Sequence, residues 1–479
     1  MLNFEKRRGI RAESGSLTER AEAPGRMVAR WRPGASGRPV APVRTVAAAL
    51  FFLLFILITV TPALSQYLRP GVEPIVPDNS SARFVTEERI FAGVAEVERT
   101  DREFIEPYPG APAVLYRTAE QNGHLYQLYL NKHAGRYPVY GAGSYVIKRS
   151  LEDGRFVQVK IFLRNDENFF VRISPAGSRS RMSLVLNGKI LYTEIPVPLR
   201  FEEVLILPFE EVVRSSRHLI DWSLFTQQPS TEEYRSVRRM VELAREALPN
   251  LPDAEDGAMD ASGGLVFIES LRSMEELPGF NCSGFAKWVC DGIYAAETGT
   301  YMEIDPLKEK HLDLRGTGWT QPREDERDPY FGLDWTRNLA RTLSAVARGV
   351  ATETIHPEAA DVRQVPLSNY IEDVGYPVDE VRHVLYYLAV EEPGNFYLAS
   401  VNREFGSEPV LRQHTHVVVL FPYFEESGEF EVAVLERNVE TSIESLERRY
   451  GKEYVHLVRV AASRRYTPPL FRRTTLPDN

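Results

Sequence analysis

Residues 277–293 read Leu277-Pro-Gly-Phe-Asn-Cys282-Ser-Gly-Phe-Ala-Lys-Trp-Val-Cys290-Asp-Gly-Ile293. Pro278 and Gly279 punctuate a turn, Asn281 is a residue type favoured at helix N-caps, and Phe285, Trp288, Val289 and Ile293 recur at three- and four-residue spacing. The pattern predicts a core helix that begins at Cys282. In a first helical turn the unpaired backbone N–H groups and the positive end of the dipole favour an anion, which lowers the pKa of a thiol. Cys282 is therefore a candidate nucleophile, and the small Ser283 and Gly284 leave room beside it. Cys290 lies two turns on, beyond that field, and reads as core filler. A helix separates the two sulfurs' Cα atoms by about 12 Å, too far for a disulfide.

Asn281 to Val289 resembles the nucleophile segment of NlpC-type cell-wall cysteine peptidases, a branch of the papain-like fold. The resemblance implies a later strand that begins with a catalytic His, and a returning strand whose polar residue orients the imidazole. Thr415-His416-Val-Val-Val-Leu-Phe421 supplies the first, and Phe430-Glu-Val-Ala-Val-Leu-Glu436 the second, after a turn at Glu426-Ser427-Gly428. A three-residue loop with Gly last sets a register that puts Glu436 opposite Val418 and Asn438 opposite His416. Strand alternation then places His416, Val418, Glu436 and Asn438 on one face, with His414 one step out on the same face as an alternative imidazole. By the resemblance the third catalytic residue is Glu436, diagonal to His416; Asn438 is the alternative. The chain departs from the family pattern in four places. Asn281 replaces an acidic residue, the upstream Tyr-x-x-Gly-Gly segment has no counterpart beyond Gly263-Gly264, and Val418 replaces a Gly. The interval from Cys282 to His416 is also long.

The chain has 479 residues, enough for two or three domains, and its two cysteines provide no disulfide framework. Residues 1–44 hold ten Lys or Arg against four Glu, a net of +6, so the total of −10 leaves −16 for the rest. An acidic body argues against nucleic acid as partner. Residues 45–65 are uncharged after Arg44 and match the length of a transmembrane helix or signal peptide, with positive charge before them. The expectation is an exported, periplasmic or extracytoplasmic protein, cleaved or left anchored in the inner membrane through 45–65.

Residues 66–83 read as a Pro-rich linker. Residues 84–214 carry short alternating runs between turn signals, such as Leu125–Leu130, Phe156–Leu163, Met182–Leu186 and Val204–Leu207, with Asn187-Gly188 as a hairpin signal. They predict an all-β accessory domain, an antiparallel sandwich or barrel. Its Tyr126, Tyr129, Tyr137 and Tyr140 suit either strand packing or stacking on sugars. Residues 215–262 read as a helical connection containing an amphipathic helix over 231–248, and 263–479 as the peptidase domain with an insertion or lid at about 299–413.

The predicted fold class is thus α+β: a papain-like cysteine peptidase domain preceded by a β-sandwich or barrel domain and an N-terminal membrane segment. The predicted function is an exported cysteine hydrolase that cleaves an amide bond in peptidoglycan stem peptides without metal or cofactor. Two other readings stay open, a non-catalytic envelope-binding protein on a degenerate peptidase fold, and an amidase or acyltransferase acting on lipid or protein. Reading His414, His416 and Glu436 as a zinc set would leave Cys282 without a role.

Overall fold

Two Asn-Gly pairs, Asn122-Gly123 and Asn187-Gly188, have positive φ at both residues and so make the two-residue turns whose twist matches that of antiparallel strands. They sit within a run of eight strands: β1 (Glu103–Ile105), β2 (Val114–Gln121), β3 (His124–Leu130), β4 (Tyr145–Ser150), β5 (Phe156–Phe162), β6 (Phe170–Ala176), β7 (Arg179–Leu186) and β8 (Lys189–Val197). Every strand pairs antiparallel with its chain neighbours, giving one sheet in the order β1 to β8. The computed structural model describes residues 78–470 apart from 101, 227–229, 315–327 and 407–410.

The fold expectation needs several corrections. No helix among the described residues is long and apolar enough to cross a membrane, so the membrane segment is not supported, and residues 45–65 themselves lie outside the described residues. The basic head at 1–44 and most of the 66–83 linker also lie outside them. The accessory region is a single meander rather than a two-sheet sandwich, and β1 and β8 are unpaired edges, so it is not a closed barrel. One face of the meander is covered by helices in place of a second sheet. Val204–Ile206 belongs to one of these, the helix Phe201–Ile206, with Leu207 as its C-cap, and there Glu203 reaches back to the backbone N–H of Arg200. Apolar residues in a four-residue run fit either element, and the capping bond decides for the helix.

The end of the expected linker is likewise ordered. Ser80–Val85 is helical, and the fully buried Arg83 is its anchor. Its guanidinium lies 3.6 Å from the centroid of the Tyr145 ring. It donates to the carbonyls of Leu205 and Leu207 at the end of the Phe201–Ile206 helix, to Asn79 Oδ1 at 2.9 Å and to Asp78 Oδ1 at 2.6 Å. A cation placed on the unpaired C-terminal carbonyls of a helix satisfies them and complements its dipole.

Two short strands, β9 (Ala258–Met259) and β10 (Leu265–Val266), precede the helix that begins at Cys282. A second sheet follows: β11 (Tyr376–Pro377), β12 (Asn395–Phe405), β13 (Leu411–Phe424), β14 (Phe430–Glu436), β15 (Val439–Thr441) and β16 (Tyr454–Ala461), in the antiparallel order β11-β16-β12-β13-β14-β15. Alternation divides its side chains between two cores. Phe396, Leu398, Val417, Val419 and Phe421 pack with the helices Cys282–Thr298 and Phe331–Arg348 in the core that also holds the first sheet. Ala399, Val401, Val418, Leu420 and Val434 pack with the helices Val381–Glu391 and Ile443–Tyr450 on the other face.

The described part of 299–413 is not an insertion or lid laid over a finished domain. It supplies β11, the central β12 and the buried helix Phe331–Arg348, whose Trp335 donates to the carbonyl of Ser283 at 3.0 Å. The amphipathic helix expected over 231–248 is a short 3-10 turn, Thr231–Tyr234, running into an α-helix, Arg235–Ala247.

Arg83→Met keeps bulk against Tyr145 but leaves the helix-end carbonyls unpaired in the core. The loss expected is about 3 kcal/mol, read as a lower midpoint of urea unfolding against wild type.

Candidate active site

The helix Cys282–Thr298 starts where Asn281 Oδ1 accepts the backbone N–H of Gly284 at 2.8 Å, and it ends at Gly299 in the left-handed conformation. Its residues 283–293 are buried on all sides, consistent with a central helix rather than an amphipathic surface one. Cys290 is fully buried, and burial pushes its thiol well above the ordinary range. Cys282 is only partly buried and opens into a cleft. Gly284 explains how the helix start is held down: a Cβ there would meet the Gly257 carbonyl at 1.9 Å, and that same carbonyl accepts the N–H of Asn281 at 3.1 Å.

Cys282 and His416 line the same cleft, and the imidazole acts on the thiol strongly enough to lower its pKa. On the other side of the ring, His416 Nε2 lies 2.8 Å from Glu436 Oε2, which leaves Nδ1 as the nitrogen available to sulfur. Glu436 is buried and fully occupied. Thr441 Oγ1 donates to Oε1 at 2.5 Å, Arg449 Nη1 donates to Oε2 at 3.0 Å, and Arg449 Nη2 donates to Oε1. The ring of Tyr450 lies 5.9 Å from that of His416.

These contacts set the charges. Burial opposes ionisation of Cys282, but hydrogen bonding and Coulombic attraction to His416 outweigh it and bring the thiol below its ordinary value. Burial also disfavours a charged His416, yet its bonds to Cys282 and Glu436 raise it to about 9. For Glu436, burial is overcome by His416, Arg449 and Thr441, which hold the carboxyl down to about 2. The three shifts together favour a thiolate–imidazolium pair backed by a carboxylate. Arg449 also pairs with that carboxylate, so the imidazolium is not its sole counterion.

The alternatives separate on geometry. The pairing of β13 with β14 runs from Phe424 opposite Phe430 to Val419 opposite Leu435, then stops. After Glu436 the chain turns through Arg437, at φ 53°, and Asn438 into β15. Asn438 therefore never comes opposite His416. Its Nδ2 donates to the carbonyl of Leu251 at 3.2 Å, and it is not the imidazole's partner.

His414 is displaced by a bulge. On β12 Val401 faces His416 and the next residue, Asn402, faces His414, so Thr415 is an extra residue in β13. Neighbouring residues of a strand point to opposite faces, and the two histidines consequently do so as well. His414 turns inward to Ser400, whose Oγ lies 2.9 Å from its Nδ1, and burial holds it well below the ordinary imidazole range. The zinc reading required both imidazoles on one face, and the bulge removes that condition. Among the described residues the carboxylates close enough to share an ion are Glu358, Glu372 and Asp373, and Arg337 and Arg363 already pair with them.

The cleft around Cys282, His416 and Glu436 has a volume of about 1310 Å³. Its lining includes the acidic Asp253, Glu255, Asp256 and Asp328 and the basic Lys308 and Lys310. The floor includes Gly332, where a Cβ would meet Ser400 Oγ at 2.9 Å and the His414 carbonyl at 3.0 Å. Arg449 and Thr441 went unnoticed in the sequence. Neither belongs to a motif, and both reach Glu436 only because β15 and the helix Ile443–Tyr450 fold back beside it.

Residues 73–224 match the model of a family described as a domain of unknown function (DUF8515). No curated protein and no solved structure matches the chain. The matched stretch covers the first sheet and the helices beside it, whereas Cys282, His416 and Glu436 lie outside it.

Alkylation by iodoacetamide reports the thiolate. In wild type the rate at Cys282 is expected to reach its plateau at a pH below that of an ordinary thiol. In His416→Ala, with the largest influence opposing burial removed, the inflection moves to higher pH than in wild type. Mass spectrometry of the labelled peptide over a pH series checks both, and an unchanged inflection in the variant would contradict the pairing.

Proposed function

We propose that the protein is a cysteine hydrolase acting on an amide bond, with peptidoglycan stem peptides in the cell envelope as its substrate. The observation that carries the reading is a thiol at a helix N-terminus that shares a cleft with an imidazole whose Nε2 is held by a buried carboxylate. The choice of substrate rests on the likeness of Asn281–Val289 to the NlpC-type nucleophile segment. A cleft with charges of both signs suits a short peptide that carries both amino and carboxyl groups.

In this reading the Cys282 thiolate adds to the amide carbonyl carbon, and the carbonyl π electrons move to oxygen. The backbone N–H of Cys282, unpaired in the first helical turn, faces the developing oxyanion. His416, already protonated, gives its Nδ1 proton to the leaving nitrogen as the C–N bond breaks, and a thioester remains. The neutral imidazole then takes a proton from water, hydroxide adds to the thioester, and the carboxylic acid leaves with the thiolate restored. Glu436 stays ionised throughout. Its part is to fix the ring's tautomer and to favour the imidazolium, with Arg449 and Thr441 preventing its rotation.

Purified peptidoglycan digested with wild type should release peptide fragments with new amino and carboxyl ends, seen by mass spectrometry. Cys282→Ala should release none, and Glu436→Gln should slow release by about 10²-fold. Equal release by wild type and Cys282→Ala, or no release by wild type, would sink the proposal.

A further inference from the structure

One face of the eight-stranded sheet packs into the common core, and the opposite face carries a row of cations. Lys148 lies on β4, Lys160 on β5 and Arg172 on β6. The register puts Lys160 directly opposite Arg172 and also opposite Val146, and puts Lys148 opposite both Tyr126 and Gln158. All five polar residues are half-buried on this face, beside Leu128, Val146 and Phe162, which belong to a small apolar cluster of their own.

Like charges set directly opposite on adjacent strands destabilise a sheet. A fold usually relieves this with carboxylates, as it does nearby where Arg181 pairs with Glu194 at 3.1 Å. Among the described residues no carboxylate forms a salt bridge with Lys148, Lys160 or Arg172, although the whole chain has a net charge of −10 and acids to spare. What the lysines touch instead is aromatic: Lys160 Nζ is 4.1 Å from the Phe170 ring centroid and Lys148 Nζ is 5.9 Å from that of Tyr126. The Lys160 ammonium is disfavoured first by burial and then by repulsion from Arg172 and Lys148. An anion laid on this face offsets the mutual repulsion of the three cations.

We propose that the face formed by Lys148, Lys160 and Arg172 binds an extended anionic polysaccharide, its carboxylate or phosphate groups on the three cations and its hydroxyls on Tyr126 and Gln158. Adjacent strands are about 4.8 Å apart, so the cations span about 10 Å across the strands, more than one small anion fills. The aromatic rings already hold lysine side chains and are not free platforms for bases, which disfavours a nucleic acid. The apolar residues Leu128, Val146 and Phe162 on the face are buried rather than exposed for insertion, which disfavours a lipid surface. The inference concerns the domain matched to a family of unknown function and is independent of the hydrolase reading.

The test is fluorescence anisotropy of labelled polygalacturonate with the full chain, beside neutral dextran, single-stranded oligodeoxythymidine and phosphatidylglycerol vesicles. Polygalacturonate should bind, dextran should not, and affinity should fall at least about tenfold on raising NaCl from about 50 to 500 mM. The triple change Lys148→Gln, Lys160→Gln, Arg172→Gln should weaken binding by about tenfold or more while iodoacetamide labelling of Cys282 is unchanged. Lys160→Met keeps the stem on Phe170 and removes the repulsion, so it serves where the triple variant misfolds and should also bind more weakly. Binding retained by both variants, equal binding of dextran, or binding by wild type of only the oligonucleotide or only the vesicles would overturn the proposal.

Discussion

The site depends on one imidazole held from both sides. His416 lies between a sulfur that begins a helix and a carboxylate that ends a strand, and each neighbour alone would be a poor partner for a buried ring. Burial works against charge on all three groups. Together, each charge offsets the desolvation of the next, and Arg449 supplies the extra positive charge that Glu436 needs. The charge pattern therefore belongs to the group and not to any member.

Several backbone features serve that arrangement. Gly284 lets the helix start close on Gly257, which fixes where the sulfur emerges. The extra residue at Thr415 sends His416 and His414 to opposite faces, one toward the cleft and one toward Ser400. Gly332 then allows the helix Phe331–Arg348 to pass close over the bulge. The segment between nucleophile and histidine is long because it builds this floor and the central strand of the sheet.

Local signals made part of this legible. Asn281 caps its helix as its side chain allows, and Asn187-Gly188 makes its hairpin because both residues tolerate positive φ. The loop at Glu426–Gly428 sets the observed register of β13 and β14, which brings Glu436 near His416. What failed was anything requiring information from elsewhere in the fold. The two-residue turn at Arg437-Asn438 has no Gly to announce it, and it carries Asn438 away from the histidine. The bulge at Thr415 has no composition signature, so alternation counted past it was wrong for His414. Val204–Leu207 looked like a strand because four apolar residues do not distinguish periods. Alternating strands gave no indication that helices, not a second sheet, would cover the first.

The central claim is that His416 is charged because of its two neighbours, and the titration of its ring by side-chain NMR tests that most directly. With selectively labelled histidine, the account predicts that the His416 imidazolium persists to about pH 9 in wild type and loses its proton at lower pH in Cys282→Ala. A His416 that titrates at or below the ordinary 6.5 in wild type, or one that Cys282→Ala leaves unmoved, would contradict it.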